Sequence, residues 1–135
     1  MSESLYDLFA TSESAAEDGK WFKFGKTIEV KIRRFKSKKS KKVREDLEAP
    51  YKRASKFGSS LPDDVSETIA TEHIATGIVV DWKGVTDKQG NALKYSPAAA
   101  IELLNALPEF KDAVAEISLS LDNYRDGAKD DIEKN

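Results

Sequence analysis

The two halves of this chain are joined by the stretch Gly77-Ile-Val-Val-Asp-Trp-Lys-Gly-Val-Thr-Asp-Lys-Gln-Gly-Asn-Ala-Leu-Lys-Tyr-Ser-Pro97. Its first residues form an apolar run, which we interpret as the buried end of a helix. Gly, Asp and Asn then predict a loop, because these residues make tight turns at little steric cost. The final Ser-Pro pair predicts a helix start, with Ser at the N-cap and Pro at the first helical position. The stretch therefore indicates a helix-loop-helix connection.

Large side chains within this connection are the candidates for its anchors. Trp82 has the largest apolar area, and Val85, Leu93 and Tyr95 follow it. Side chains of this kind commonly pin a long loop to the core. The alternative is that Trp82, Val85 and Tyr95 contact a partner, and the residues alone leave both interpretations open.

Two helices are predicted after the loop, at about residues 97–107 and 109–125. The second carries the clearest amphipathic stripe in the chain, formed by Phe110, Val114, Ile117, Leu121 and Tyr124. Such a stripe is usually core, but part of it can instead form a groove or a dimer face. Residues 126–135 are polar and are expected to form a flexible tail.

Helices are also predicted before the loop, at about residues 40–57 and 62–80. Pro50 lies inside the first of these and cannot donate a backbone hydrogen bond, so we expect a kink or a split there. The second begins at Pro62 with two acids, which favour a helix N-terminus.

Residues 20–35 show the alternation of apolar and polar side chains that predicts a β-hairpin. A three-residue loop, Gly25–Thr27, pairs Phe24 with Ile28 and Phe22 with Val30 on one face. A two-residue loop would turn this apolar set towards water, so burial favours the longer loop. Because a lone hairpin is marginal in water, its apolar face must pack on helices.

The densest charge run lies between Lys31 and Arg44, and its centre is a basic patch of Lys36, Lys38, Lys39, Lys41 and Lys42. Such a cluster is a possible phosphate-binding footprint. The run contains only one aromatic residue, Phe35, for stacking on bases. Residues 1–18 are acidic and lack Lys and Arg, so they can neutralise the patch. We expect these residues to be a flexible arm, or to dock through Leu5, Leu8 and Phe9 as a short helical turn.

Composition limits the function. The chain has 135 residues, a net charge of −2, no cysteine and a single histidine, His73. We expect one globular domain over residues 19–125 with an α+β, mainly helical fold, in which an N-terminal β-hairpin packs on a small helical bundle. The sequence shows no catalytic constellation, phosphate loop, metal-ligand set, signal peptide or membrane span. We therefore expect a non-enzymatic protein without cofactor or metal.

The order of three short segments resembles one family. Asp81-Trp82-Lys83-Gly84-Val85, then Asp87-Lys88-Gln89-Gly90, then Tyr95-Ser96-Pro97, followed by an amphipathic helix, is similar to the tail assembly chaperones of long-tailed bacteriophages and prophages. The resemblance is best over about residues 74–124. It extends loosely to residues 19–22 and 49–52.

This resemblance implies a late protein of the bacterial host cytoplasm that keeps the tape measure protein soluble and promotes tail tube assembly around it. It also implies absence from the finished virion. Members of the family are made in two lengths by a ribosomal frameshift, and the longer form recruits the tail tube protein. Here the slippage is expected at the codons for residues 126–135.

The sequence alone does not identify the partner-binding surface. The candidates are Trp82, Val85, Tyr95, Phe110, Leu121 and Tyr124, and a homo-oligomer is possible. The alternatives to a chaperone are a small nucleic-acid-binding module centred on the basic patch and a structural adaptor without chaperone activity.

Overall fold

A three-stranded antiparallel sheet forms one layer of this protein. The computed structural model describes residues 4–54 and 61–125. Strands β1 (Lys20–Phe24), β2 (Ile28–Ile32) and β3 (Val79–Lys83) lie in the order β1-β2-β3. Phe22 pairs with Val30 and Phe24 pairs with Ile28 across a three-residue loop, so the predicted hairpin register is confirmed.

The two faces of the sheet differ in polarity. Phe22, Val30 and Trp82 pair in one row across the three strands, and all three are buried. On the other face, the ammonium group of Lys83 lies 4.3 Å from the ring centroid of Trp21 and 3.9 Å from a carboxylate oxygen of Glu29. Period-two alternation therefore directs one face of the sheet to the helices and the other to water.

Strand β3 is absent from the sequence-based prediction, which placed a helix over residues 62–80. Helix α4 (Asp63–His73) ends earlier, and a π-helical turn over Ile74–Ile78 leads into β3. A short apolar run cannot be assigned to helix or strand by periodicity alone. The free edge of β2 decides the matter, because it offers unpaired backbone groups to the branched residues that follow Ile78.

Helices cover the inner face of the sheet. Helix α5 (Pro97–Ala106) begins as predicted, with the hydroxyl of Ser96 accepting a hydrogen bond from the N–H of Ala99 at 3.1 Å. Helix α6 (Pro108–Leu119) is followed by a 3₁₀-helix, Leu121–Tyr124. The prediction of one helix over residues 109–125 is therefore wrong at its end. The extended backbone of Ser120 interrupts it and turns Tyr124 into the core.

Helix α3 (Lys38–Ala54) packs beside α4 and continues through Pro50. The predicted split does not occur in this helix. Pro50 is exposed, so water can satisfy the carbonyl group of Asp46 that lacks its helical donor. The predicted end of this helix at residue 57 lies outside the described residues, as does the predicted tail at 126–135.

Residues 4–18, for which the sequence left a flexible arm and a short helical turn both open, carry two short helices. Helix α1 (Leu5–Phe9) begins at a capping box formed by Ser4 and Asp7, and α2 (Glu13–Asp18) is capped by Ser12. The N–H of Ser12 donates to the carbonyl of Tyr124 at 2.8 Å. Local caps and this long-range bond supply the hydrogen-bond partners that an isolated arm would lack. The fold is α+β and mainly helical, as predicted.

Candidate partner-binding surfaces

The loop after β3 is anchored by two aromatic residues. The indole N–H of Trp82 donates to the carbonyl of Leu93 at 2.7 Å, and its ring meets that of Tyr95 edge to face at 5.2 Å between centroids. The carboxylate of Asp87 accepts hydrogen bonds from the N–H groups of Gln89 and Asn91, both at 2.9 Å. The segment that the resemblance singles out is thus a compact turn held on the core.

Tyr95 also stabilises the π-helical turn. Its hydroxyl lies 2.8 Å from the carbonyl oxygen of Ala75 and 3.1 Å from that of Val79. Since a hydroxyl has one proton, it donates to these two acceptors in turn or shares the proton between them. Burial raises the pKa of Tyr95, so the hydroxyl remains a donor over the ordinary pH range. The hydroxyl joins the turn to the strand that follows it.

Gly77 lets the π-helical turn lie directly against α3. A Cβ atom at this position would come within 3.1 Å of Val43 and 3.0 Å of the His73 ring. The carbonyl of Gly77 accepts a 2.9 Å hydrogen bond from the guanidinium group of Arg33, which also donates to the carbonyl of Glu17. Arg33 therefore ties α2 to the turn, a role that no local sequence signal indicates.

Of the six predicted partner-binding residues, two are buried and four are half-buried. Trp82 is 5% exposed and Tyr124 is 0% exposed, so the prediction that they contact a partner is corrected: they are core residues. Both satisfy their polar groups inside the protein, which makes burial compatible with an indole and a phenol. The other four, Val85, Tyr95, Phe110 and Leu121, are half-buried, and the first three pack against the core.

The five lysines of the basic patch are all exposed, as their pattern predicts. They surround the start of α3, while Ser37 and Ser40 on the opposite side are buried. The first turn of α3 contains no acid. Lysines at a helix N-terminus oppose the helix dipole, so this arrangement lowers the stability of the helix unless another group compensates.

Helix α2 supplies that compensation from 21 residues away. The two carboxylate oxygens of Glu17 accept hydrogen bonds from the N–H groups of Lys38 at 2.8 Å and Lys39 at 3.0 Å. Burial raises the pKa of Glu17, but these two hydrogen bonds and the lysine charges outweigh it, so the pKa is lowered. Asp18 adds an ion pair to Lys39 at 3.1 Å. The expectation that the acidic residues neutralise the patch therefore holds at Lys39 and at the start of α3.

Helix α1 presents the most exposed large apolar side chains of the described residues. Leu5 is 73% exposed, Tyr6 84% and Phe9 58%. The helix is held to the body through its backbone, because Arg125 donates to the carbonyl of Asp7 at 3.0 Å. The sequence indicated the apolar cluster. It could not show that the backbone would be tethered while the side chains stay in water.

His73 is a core residue. Its Nε2 atom lies 2.8 Å from the hydroxyl oxygen and 3.1 Å from the carbonyl oxygen of Ser40, and its ring meets Phe35 edge to face. A carbonyl can only accept, which favours the tautomer with the proton on Nε2. Among the described residues no group of three His, Asp or Glu side chains is placed to hold a metal ion. In the same part of the chain no helix is long and apolar enough to cross a membrane.

Comparison with known families identifies the group to which the chain belongs. The model of a family described as YdaY prophage protein matches residues 35–135, about three quarters of the chain. The chain belongs to the YdaY prophage protein family. The match to this family includes the basic patch, the anchored loop and all helices from α3 onwards, whereas α1, α2, β1 and β2 precede it. Neither the curated proteins nor the solved structures gave a match to this YdaY-family chain.

Proposed function

We propose that this YdaY-family protein is a non-enzymatic tail assembly chaperone. It acts in the cytoplasm of the bacterial host, binds the tape measure protein, promotes tail tube assembly and is left out of the virion. Two observations support the proposal before any surface is considered. The family is a prophage family, and the order of segments between Asp81 and Pro97 resembles that of tail assembly chaperones.

The exposed apolar side chains of α1 are the observation that carries the proposal. A chaperone for a long helical client needs apolar surface that is open to water before the client arrives. Leu5, Tyr6 and Phe9 provide it on a helix whose backbone is already ordered by its capping box and by Arg125. The apolar face of a client helix would cover these side chains.

A single contact between α1 and a client helix is weak, and a weak contact suits a chaperone that must release its client. Complete burial of a large apolar side chain is worth about 1.5–3 kcal/mol, before the cost of association is subtracted. Three side chains on a five-residue helix therefore give a reversible contact. Many copies along one long client would keep it in solution, and each would leave readily when tail tube subunits replace it.

Co-expression tests the proposal. We expect the tape measure protein from the same prophage to be mainly soluble with this chain and mainly insoluble without it. Replacing Leu5, Tyr6 and Phe9 by Ser should abolish the effect. The matched control replaces Leu107 and Leu119 by Ser, since these are 50% and 56% exposed but lie elsewhere on the chain. Equal solubility of the client with and without this chain would refute the chaperone proposal. Loss of activity in the control alone would refute the role of α1.

A longer product is part of the same proposal. Tyr124 is the last buried residue of the described ranges, so a junction within residues 126–135 would leave every described core residue in place. The nucleotide sequence should contain a slippery heptamer in these codons and an overlapping minus-one frame. Mass spectrometry of the expressed protein should show two lengths. The longer form should recruit tail tube protein, and absence of heptamer, frame and second product together would exclude the two-length mechanism.

A further inference from the structure

Three lysines of the basic patch are left without an ion pair after α2 has docked. Asp18 pairs with Lys39, and Asp46 pairs with Lys42 at 2.7 Å. Lys36, Lys38 and Lys41 form no ion pair with any residue in the described ranges 4–54 and 61–125. The backbone N–H groups of Lys38 and Lys39 are occupied by Glu17, so what remains is a surface of side-chain ammonium groups.

We propose that Lys36, Lys38 and Lys41 form a docking surface for an acidic helical segment of a protein partner, which binds beside α2. The inference is independent of the chaperone proposal, because it concerns a different face and does not require a tape measure client. Lys38 and Lys41 are three residues apart on α3, so their side chains project from neighbouring positions on one face. Lys36 precedes the helix by two residues and is also exposed.

The chain itself shows which chemistry this end of α3 accepts. Helix α2 is an acidic helix, and it brings the carboxylates of Glu17 and Asp18 to the start of α3. A second acidic helix would place its carboxylates on the lysine ammonium groups that form no ion pair with α2. Placing lysines at the positive end of a helix dipole lowers helix stability, and departures of this kind from local rules are expected at functional surfaces.

Two features favour carboxylates over nucleic acid. The ring of Phe35, the one aromatic residue of the basic run, is half-buried and lies under the guanidinium group of Arg44 at 5.8 Å, so it cannot serve as a stacking platform for bases. The carboxylates of Glu13 and Asp18 lie on exposed positions of α2, beside Lys38 and Lys39. These carboxylates repel the closely spaced phosphates of a nucleic acid. An acidic helix carries fewer charges, and they can lie between Glu13 and Asp18, so it is repelled less.

Fluorescence anisotropy with the full chain provides the test. The probe is a labelled alanine-based peptide of about 20 residues, long enough to be helical, with Glu at every fourth position as in Glu13 and Glu17. We expect it to bind at low salt, to bind more weakly as salt is added, and to lose about tenfold in affinity when Lys36, Lys38 and Lys41 are replaced by Ser. The matched control replaces Lys26, Lys88 and Lys94, which are also exposed, by Ser and should bind as the parent does.

The remaining outcomes all count against the proposal. Equal binding of a Gln-substituted peptide would show that charge is not recognised. Equal loss in the control variant would show that only net charge matters. The last outcome is a single-stranded oligonucleotide that binds more tightly than the Glu peptide and fails to bind the Lys36/Lys38/Lys41 variant. That result would identify the patch as a nucleic-acid site instead. Circular dichroism of both variants verifies that α3 is intact, so that a loss of binding reports on the surface.

Discussion

The hydroxyl of Tyr124 donates a 2.9 Å hydrogen bond to the carbonyl oxygen of Ile32. Both residues are fully buried, and the Tyr124 ring meets Phe22 edge to face at 6.1 Å. Burial raises the pKa of Tyr124 strongly, so its hydroxyl stays protonated. This bond joins the last described helical turn to the central strand of the sheet. Tyr124 is therefore a core residue.

Replacing Tyr124 by Phe should lower the free energy of unfolding by about 1–2 kcal/mol. The ring can keep its packing, but a buried carbonyl loses a donor. The control is Tyr51 to Phe, because Tyr51 is 41% exposed and its hydroxyl can bond to water. Urea denaturation of both variants measures the difference. Equal stability of the two variants would mean that the Tyr124 hydroxyl contributes nothing to the fold.

The two phenylalanines of β1 should differ in their contribution to stability. Phe22 is 5% exposed, and we expect Phe22 to Ala to cost about 3–5 kcal/mol. Phe24 is half-buried at the edge of the core, where it meets Phe110 at 5.6 Å. Its replacement by Ala should cost about 2–3 kcal/mol, because less area leaves water on folding. Chemical denaturation of the two variants would contradict this ranking if Phe24 proved the more costly position.

Acid should destabilise the protein through His73. Burial lowers the pKa of His73 below 6.5; the charge of Arg44 lowers it too, while the Ser40 carbonyl and Glu48 act in the opposite direction. Below pH 6.5 the unfolded chain binds this proton and the folded chain resists it. The contribution of neutral His73 to stability is therefore complete above pH 6.5. It falls as the pH drops from 6.5 towards the folded pKa.

The histidine is the only one in the chain, which makes the test specific. Urea midpoints measured between pH 7.5 and about 5 should decline in the parent. In the His73 to Gln variant this part of the pH dependence should vanish, even if the variant is less stable throughout. A decline that persists unchanged in the variant would assign the effect to other groups.

Glu17 should stabilise the start of α3 at neutral pH. Its replacement by Gln removes a charged acceptor from the Lys38 and Lys39 N–H groups, and we expect a loss of about 0.5–1 kcal/mol, at the low end for a helix cap because the carboxylate is partly in water. Since the folded pKa is lowered from 4.5, this contribution is present above pH 4.5 and is lost as pH falls through the folded pKa. Glu102 to Gln, on an exposed position of α5, is the control and should leave thermal denaturation unchanged.

Local chemistry made much of the fold predictable. The alternation of Phe22, Phe24, Ile28 and Val30 specified the hairpin register, because any slip of one residue exposes the apolar set. Ser96-Pro97 specified the start of α5, since the cap and the restricted backbone act within one turn. The exposed lysines of the patch also followed from their pattern, because charged side chains remain in water unless they are paired.

Strand β3 and the candidate surfaces required the tertiary structure. Ile78, Val79 and Val80 suit a helix or a strand equally, and only the free edge of β2 selects the strand. Amphipathic spacing marked Tyr124 and size marked Trp82 as important. Neither property distinguishes a core contact from a partner contact.

The sequence by itself determined the α+β class, the hairpin register, the helix start at Ser96 and the charge of the basic patch, because each depends on residues within a few positions of one another. The tertiary structure alone decided that Glu17 caps α3, that Tyr124 fills the core behind Ile32, and that α1 is tethered with Leu5, Tyr6 and Phe9 in water. These features depend on which distant groups meet. Their energies come from burial and hydrogen bonds between elements that no local pattern encodes.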